Sequence, residues 1–198
     1  MGTKLGVKSW IRLQLGAACL FFIFLAGCGK KEYTTTTLEF EKTGAIVLNI
    51  VETWDSALYD FNELCAMNEK EVAEYNGSTE KVTILSSELK DGKAYICMQY
   101  ADDNYYYDLN KSVLFYGNVS AAKNAGYNLT GKVKSTENGE ELIANEWNNM
   151  TTEKVIVLEE AIDIVTPSSI LYVSDGCNVT GTDTLTTESG GLRYIIVK

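Results

Sequence analysis

Most of this chain consists of short apolar or alternating segments separated by turn sequences, and this pattern constrains its fold more than any other feature. Residues 38–51, 81–89 and 94–100 carry the pattern of strands. The turn sequences Lys90-Asp91-Gly92-Lys93 and Asn138-Gly139 are typical of hairpins. Because hairpins join neighbouring strands that run in opposite directions, the pattern predicts a mostly antiparallel sheet.

The remaining strand predictions follow the same reasoning. The first segment, 38–51, is expected to contain one strand or two that join near Thr43-Gly44. Residues 101–104 are expected to turn the chain into a further strand at Tyr105-Tyr106-Tyr107, which would form a second hairpin. Later strands are predicted at 112–116, 132–136, 154–165, 170–173, 179–185 and 192–197.

One segment has helical periodicity, over about residues 55–76. Apolar side chains recur there at spacings that place them on one face: Trp54, Leu58, Phe61, Cys65, Val72 and Tyr75. Asp60 and Glu63 can form a capping pair for a start near Phe61, and Asn76-Gly77 is a suitable stop.

Two shorter helices are expected at 119–126 and, slightly favoured over a returning strand, at 140–149. Strand segments outnumber the helical ones and no repeat is evident. The predicted fold class is therefore α+β, a strand-rich and mostly antiparallel sheet with one good helix and one or two short ones.

The beginning of the chain carries an export pattern. Lys4, Lys8 and Arg12 precede an apolar segment at 15–25, which is shorter than the about 20 residues of a transmembrane helix. The following Leu25-Ala26-Gly27-Cys28 resembles the lipobox of bacterial lipoprotein precursors. That resemblance implies a diacylglycerol thioether at Cys28 and cleavage after Gly27 by signal peptidase II. The alternative is an ordinary secretory signal or an uncleaved anchor in which Cys28 is incidental.

The resemblance covers the targeting segment and carries no information about the rest of the chain. It implies a signal peptide at 1–27, a lipidated tether at 28–37 and a single globular domain at 38–198. Two or three acyl chains give stable attachment, at about 0.8 kcal/mol per buried methylene. The expected location is the extracytoplasmic face of the cell membrane, with the bilayer as a partner through the lipid on Cys28.

The charge of the mature protein excludes one class of partner. The formal charge of the whole chain is −10, and removing the three basic residues of the leader makes it −13. One arginine, Arg193, is left among scattered lysines. Because nucleic acids are bound by clustered basic side chains, a nucleic-acid partner is not expected.

Several kinds of chemistry are excluded by residue type. The chain has no histidine, which removes Ser-His-Asp and Cys-His catalysis and the commonest zinc ligand. Reactions that need two carboxylates survive, but with 27 acidic residues this signal has little specificity. The acidic stretch 102–110 lacks the ligand spacing of a calcium loop. We therefore predict no catalytic residue, no metal site and no cofactor.

The cysteines of the body do not form a disulfide scaffold. Cys65 and Cys97 lie in apolar surroundings and are expected to be buried, whereas Cys177 lies in a turn sequence and is expected to be exposed. A bridge between Cys65 and Cys97 remains open.

The tyrosines are the one feature of the sequence that suggests a binding site. Six of them lie between residues 95 and 116: Tyr95, Tyr100, Tyr105, Tyr106, Tyr107 and Tyr116. Tyrosine is favoured at recognition surfaces and also in ordinary strand packing. The candidate ligand contacts are Tyr105, Tyr106 and Tyr107.

The predicted function is a non-catalytic, membrane-anchored interaction or binding module with an unknown protein or cell-wall partner. The alternatives are a lipoprotein that binds glycan or wall fragments through these tyrosines, and a carboxylate-dependent cell-wall hydrolase.

Overall fold

A computed structural model describes residues 32–198, in which twelve strands and four helices are present. The strands are β1 (Thr37–Phe40), β2 (Ile46–Thr53), β3 (Val82–Lys90), β4 (Lys93–Tyr100), β5 (Leu114–Asn118), β6 (Lys134–Ser135), β7 (Lys154–Leu158), β8 (Asp163–Val165), β9 (Ile170–Val173), β10 (Cys177–Val179), β11 (Thr184–Thr187) and β12 (Arg193–Val197). The helices are α1 (Phe61–Asn76), α2 (Asp103–Asn110), α3 (Val119–Asn124) and α4 (Ala144–Asn149). The predicted α+β class with a strand-rich content is confirmed. The predicted signal peptide and Cys28 lie outside the described residues.

The strands form two sheets rather than one. The larger sheet has the order β10-β11-β8-β1-β2-β4-β3, and the smaller has the order β5-β7-β12-β9-β6. The pairs are antiparallel except β1 and β8, which run parallel. Residues 33–198 constitute one compact unit that contains both sheets.

Successive side chains of a strand point to opposite faces of its sheet, and the smaller sheet has a hydrophobic core on each face. On β7, Ile156 and Leu158 belong to a first core that also takes in the buried side chains of the larger sheet, such as Leu38 and Ile96. Val155 and Val157 of the same strand belong to a second core with Val119, Leu129, Leu142, Trp147 and Ile196. The layers therefore run from the larger sheet through the first core to the smaller sheet, and then through the second core to α3 and α4.

Helix α1 begins where its predicted cap lies. The Asp60 carboxylate accepts hydrogen bonds from the backbone N–H of Asn62 and Glu63, at 2.8 and 3.4 Å. The helix ends at Asn76, and Gly77 follows with a positive φ of 56°. The apolar period predicted a helix that reaches back to about residue 55. This extension is wrong, because residues 54–60 form a loop in which Leu58 is 72% exposed.

The predicted strand at Tyr105-Tyr106-Tyr107 is also wrong, since these residues lie in α2. The Asp102 carboxylate caps this helix by accepting from the backbone N–H of Asn104 and Tyr105, at 3.0 and 3.1 Å. The second hairpin therefore does not form, and β5 pairs with β7 in the smaller sheet.

Two other predicted strands divide. The segment 154–165 becomes β7 in the smaller sheet and β8 in the larger one, with a break at 159–162. The segment 179–185 is divided between β10 and β11. A tight turn joins these strands, and in it the N–H groups of Thr180 and Gly181 both donate to the Thr184 carbonyl oxygen. The predicted hairpin of β3 and β4 is confirmed. The helices predicted at 119–126 and 140–149 are also confirmed, as the shorter helices α3 and α4.

The three cysteines within the described residues are unpaired and half-buried. Cys65 and Cys97 are therefore less buried than predicted, and Cys177 is more buried. Desolvation raises the pKa of the Cys97 and Cys177 thiols above the ordinary value. Both thiols are thus held in the neutral, weakly nucleophilic form at neutral pH.

Candidate functional site

The three candidate tyrosines do not share one surface. Neighbours two apart on a helix differ by about 200° in direction, so Tyr105 and Tyr107 point to different sides of α2. Tyr107 is 49% exposed, whereas Tyr106 is 1% exposed. Tyr106 packs edge-to-face on Tyr100, with ring centroids 5.0 Å apart, and its hydroxyl donates to Glu160 Oε1 at 2.8 Å. Burial raises the pKa of Tyr106 above its ordinary value, so this phenol remains protonated and is part of the core.

Tyr105 instead joins α2 to α1. Its ring packs edge-to-face on Tyr75, with centroids 6.4 Å apart. Lys81 Nζ lies 4.9 Å from the centroid of Tyr75 and 5.9 Å from that of Tyr105, within cation–π range. The Tyr75 hydroxyl donates to Asp108 Oδ2 at 3.0 Å, and burial together with this carboxylate raises the pKa of Tyr75 to about 12. The cluster is held together by aromatic contacts and by one ammonium group.

Lys81 also lines an open cavity of about 450 Å³, which we call the polar groove. It lies at the end of the larger sheet where β1 and β4 finish and β2 and β3 begin. Its lining residues come from those four strand ends: Glu41, Thr43, Ala45, Glu80, Lys81, Thr83, Gln99 and Ala101. The volume falls within the range of about 300–1,000 Å³ that is usual for small-ligand sites.

The side chains of the groove are already ordered by hydrogen bonds to one another. The Glu41 carboxylate accepts from Thr43 Oγ1 at 3.0 Å and from Gln99 Nε2 at 3.3 Å. The Glu80 carboxylate accepts from Thr83 Oγ1 at 3.0 Å. Two carboxylates, an ammonium, two hydroxyls and an amide therefore converge on one opening, and this set suits a polar ligand with hydroxyl or cationic groups.

The sequence offered little signal for this groove. Its residues come from 41–45, 80–83 and 99–101, and antiparallel pairing brings these segments together. Thr83 and Gln99 are direct cross-strand partners. Finding the groove required the strand register, which is not available from local patterns alone.

The N-terminal end of the described chain enters at the other end of the larger sheet. Thr36 Oγ1 accepts from the backbone N–H of Val51 at 3.0 Å and donates to its carbonyl oxygen at 3.3 Å. Lys93 Nζ donates to the Thr34 carbonyl oxygen at 3.5 Å. Strand β2 runs from the groove end at Ile46 to this end at Thr53, a length of about 25 Å at the usual rise per residue.

No protein-family model matches this sequence, and no curated protein or solved structure is significantly similar to it. Within residues 32–198, no helix is long and apolar enough to span a membrane. The same residues contain no group of three or more Cys, Asp or Glu side chains arranged to hold a metal ion.

One carboxylate beside the tyrosine cluster has a structural role. Asp103 Oδ2 accepts from the backbone N–H of Tyr116 at 2.8 Å and so links α2 to β5. Burial raises the pKa of Asp103 above its ordinary value, so the folded protein holds this proton at pH values where the unfolded chain has lost it. The stability that this group contributes is therefore greatest below the ordinary aspartate pKa and falls as the pH rises through the raised value.

We expect Asp103→Asn to become more stable relative to wild type as the pH rises from about 3 to about 7, because the amide removes this titration and can still accept from Tyr116. Chemical denaturation at several pH values measures the difference. Glu137→Gln, at an exposed carboxylate in a turn, is the control. A stability difference that stays constant with pH would refute the assignment.

Proposed function

We propose that this protein is a lipid-anchored, non-catalytic binding protein on the extracytoplasmic face of the cell membrane, and that it holds a polar ligand or partner segment in the polar groove. The observation that carries the proposal is the position of the two features on the larger sheet. The chain enters at one end, near Thr36, and the groove opens at the opposite end. An anchor at Cys28 therefore attaches to the end of the larger sheet that is opposite the groove.

The lining of the groove supports a binding role. Its hydrogen-bonding groups are pre-arranged, which lowers the entropy lost on binding. Glu41 and Glu80 outnumber Lys81, so the opening favours a neutral or cationic group over an anion. A partner protein could supply that group from a lysine, an arginine or a polar loop.

A fragment of glycan or cell wall is the second candidate ligand. Sugar recognition combines convergent polar groups with an aromatic ring, and the groove meets the Tyr75 and Tyr105 rings at Lys81. The three predicted contacts Tyr105, Tyr106 and Tyr107 do not form one surface in this candidate, because Tyr106 is buried. Tyr107 remains a candidate contact through its exposure, and Tyr106 contributes by fixing α2 in place.

We expect the double variant Thr83→Ala/Gln99→Ala to lose most of its ligand. Two lost hydrogen bonds of about 0.5–1.5 kcal/mol each weaken binding roughly 5-fold to 150-fold. The measurement is affinity capture of the mature lipoprotein from detergent-solubilised membranes after mild cross-linking, followed by a thermal-shift panel of soluble wall fragments. Ser87→Ala, at an exposed position near the other end of β3, is the matched control.

Equal capture by the double variant and wild type, with both folded by circular dichroism, would remove the groove from the proposal. The hydrolase alternative predicts a different result. Wall fragments would then be cleaved by wild type, and Glu41→Gln or Glu80→Gln would abolish the cleavage.

A further inference from the structure

An apolar cluster lies at the end of the larger sheet that is opposite the polar groove. Leu58, Tyr59 and Leu89 are 72%, 62% and 40% exposed. They line a shallow depression beside α1 that also has polar residues, among them Ser56, Asp60 and Asn62, in its lining. We call Leu58, Tyr59 and Leu89 the apolar tip. Beneath them, the Trp54 ring contacts Tyr59 and Phe61, with centroids 5.8 and 5.6 Å apart.

Backbone hydrogen bonds connect the loop of the apolar tip to the sheet. The backbone N–H of Trp54 donates to the Gly92 carbonyl oxygen at 2.9 Å, which ties the loop at 54–60 to the turn between β3 and β4. The Asp55 carbonyl oxygen accepts from the N–H groups of Leu58 and Tyr59, at 3.1 Å each. Leu58, Tyr59 and Leu89 share one depression instead of being scattered singly, and contiguous exposed apolar side chains are the arrangement that marks interaction surfaces.

The entry point of the chain lies at the same end. Lys93 pairs with Thr53 directly before the loop, and its ammonium holds the Thr34 carbonyl oxygen at 3.5 Å. Thr34 is the sixth residue after Cys28 in the sequence. Because an extended chain spans at most about 3.6 Å per residue, a lipid on Cys28 lies within about 22 Å of this end of the sheet.

We infer that the apolar tip contacts the bilayer that holds the lipid on Cys28, with Leu58 and Tyr59 entering the headgroup and upper acyl region. This inference rests on the proposed lipid anchor. Tyrosine and tryptophan are favoured at the membrane interface, where one end of the ring is apolar and the other is wet. The anchor makes the contact intramolecular, so a weak insertion is enough to orient the domain.

The charges of the tip and the tether determine whether zwitterionic or anionic lipid favours the contact. The sequence segments that contain the tip residues and the tether carry seven acidic side chains and four lysines, namely Glu32, Glu52, Asp55, Asp60, Glu63, Glu88 and Asp91, and Lys30, Lys31, Lys90 and Lys93. This excess opposes an anionic surface and also opposes a second copy of the same tip. We therefore expect the contact to be strongest on zwitterionic lipid and to strengthen with salt on anionic lipid.

Tryptophan fluorescence tests the inference. Trp10 leaves with the signal peptide, and Trp147 is 4% exposed in the second core, so Trp147→Phe isolates Trp54. The mature Trp147→Phe lipoprotein is reconstituted into phosphatidylcholine vesicles with and without brominated acyl chains. We expect about a twofold loss of Trp54 emission with the brominated lipid, because the tip carries Trp54 to the interface.

Leu58→Asp in the same background should restore the emission, because a carboxylate at the membrane surface opposes insertion. Ile143→Asp is the matched control, since Ile143 is 56% exposed beside α4, away from the larger sheet. Both substitutions are at exposed side chains and are expected to leave the fold intact.

The mass of the protein distinguishes the two ways in which the inference can fail. A lipidated protein with no bromine quenching would overturn the tip and leave the anchor standing. A mass without diacylglycerol would overturn both. Burial of Trp54 that grows with protein concentration, without bromine quenching, would assign the tip to a second copy and overturn the membrane contact.

Discussion

Tyr106→Ala should lower the free energy of unfolding by about 3–5 kcal/mol, the usual cost of truncating a fully buried aromatic ring. Tyr106 is 1% exposed, it packs on Tyr100, and its hydroxyl donates to Glu160. The substitution leaves a cavity between α2 and the first core, and it also leaves the Glu160 carboxylate without this donor. Equilibrium denaturation with urea measures the change.

The neighbouring residue supplies the control for this experiment. Tyr107→Ala removes an identical ring that is 49% exposed, and we expect a change within about 0.5 kcal/mol. Tyr106→Phe keeps the ring and removes the hydroxyl, so it should cost about 1–3 kcal/mol through the loss of a hydrogen bond to a charged group. Similar losses for Tyr106→Ala and Tyr107→Ala would contradict the helical placement of these residues.

The caps of α1 and α2 show where prediction from the sequence succeeds and where it fails. Asp60 and Asp102 cap their helices in the same way, through a carboxylate that accepts from two backbone N–H groups. The first cap was predicted because a helical apolar period follows it. The second was missed because three successive tyrosines favour a strand, and the packing of Tyr106 overrides that local preference.

The divided strands have a related cause. The valine- and isoleucine-rich segment 154–165 predicts a strand, but the local pattern does not show that its two halves enter different sheets. The break allows Glu160 to reach the Tyr106 hydroxyl and its carbonyl oxygen to accept from Thr187 Oγ1, at 2.8 and 2.6 Å. Both partners are far away in the sequence. The fold class was therefore predictable, whereas the division into two sheets and the polar groove depend on long-range pairing.

The arrangement of the larger sheet links the two proposals. Its strands separate the end that carries the polar groove, where Glu41 and Gln99 meet, from the end that carries the apolar tip, where Leu58 and Leu89 meet. A rigid sheet of about 25 Å keeps these ends apart. If the apolar tip rests on the bilayer, the groove is held at a fixed height above it, where a soluble or wall-bound ligand can enter.

Cys28→Ser should abolish lipid attachment, which is the largest effect that we expect on the location of the protein. The serine hydroxyl does not replace the thiol sulfur from which the thioether is made, so the precursor should keep residues 1–27 and gain no diacylglycerol. Metabolic labelling with a fatty acid that carries an alkyne measures the attachment, and mass spectrometry locates the N-terminus. The label on wild type should fall to background in the variant.

A second cysteine nearby, Cys19, provides a control with the same substitution. Cys19 lies inside the apolar segment and leaves with it if cleavage follows Gly27, so Cys19→Ser should leave the label and the cleavage unchanged. An ordinary secretory signal predicts the opposite pattern, in which wild type and both variants carry no label and are processed alike. Label that persists in Cys28→Ser would place the lipid elsewhere, and the apolar tip would then lose the short tether that brings it to the bilayer.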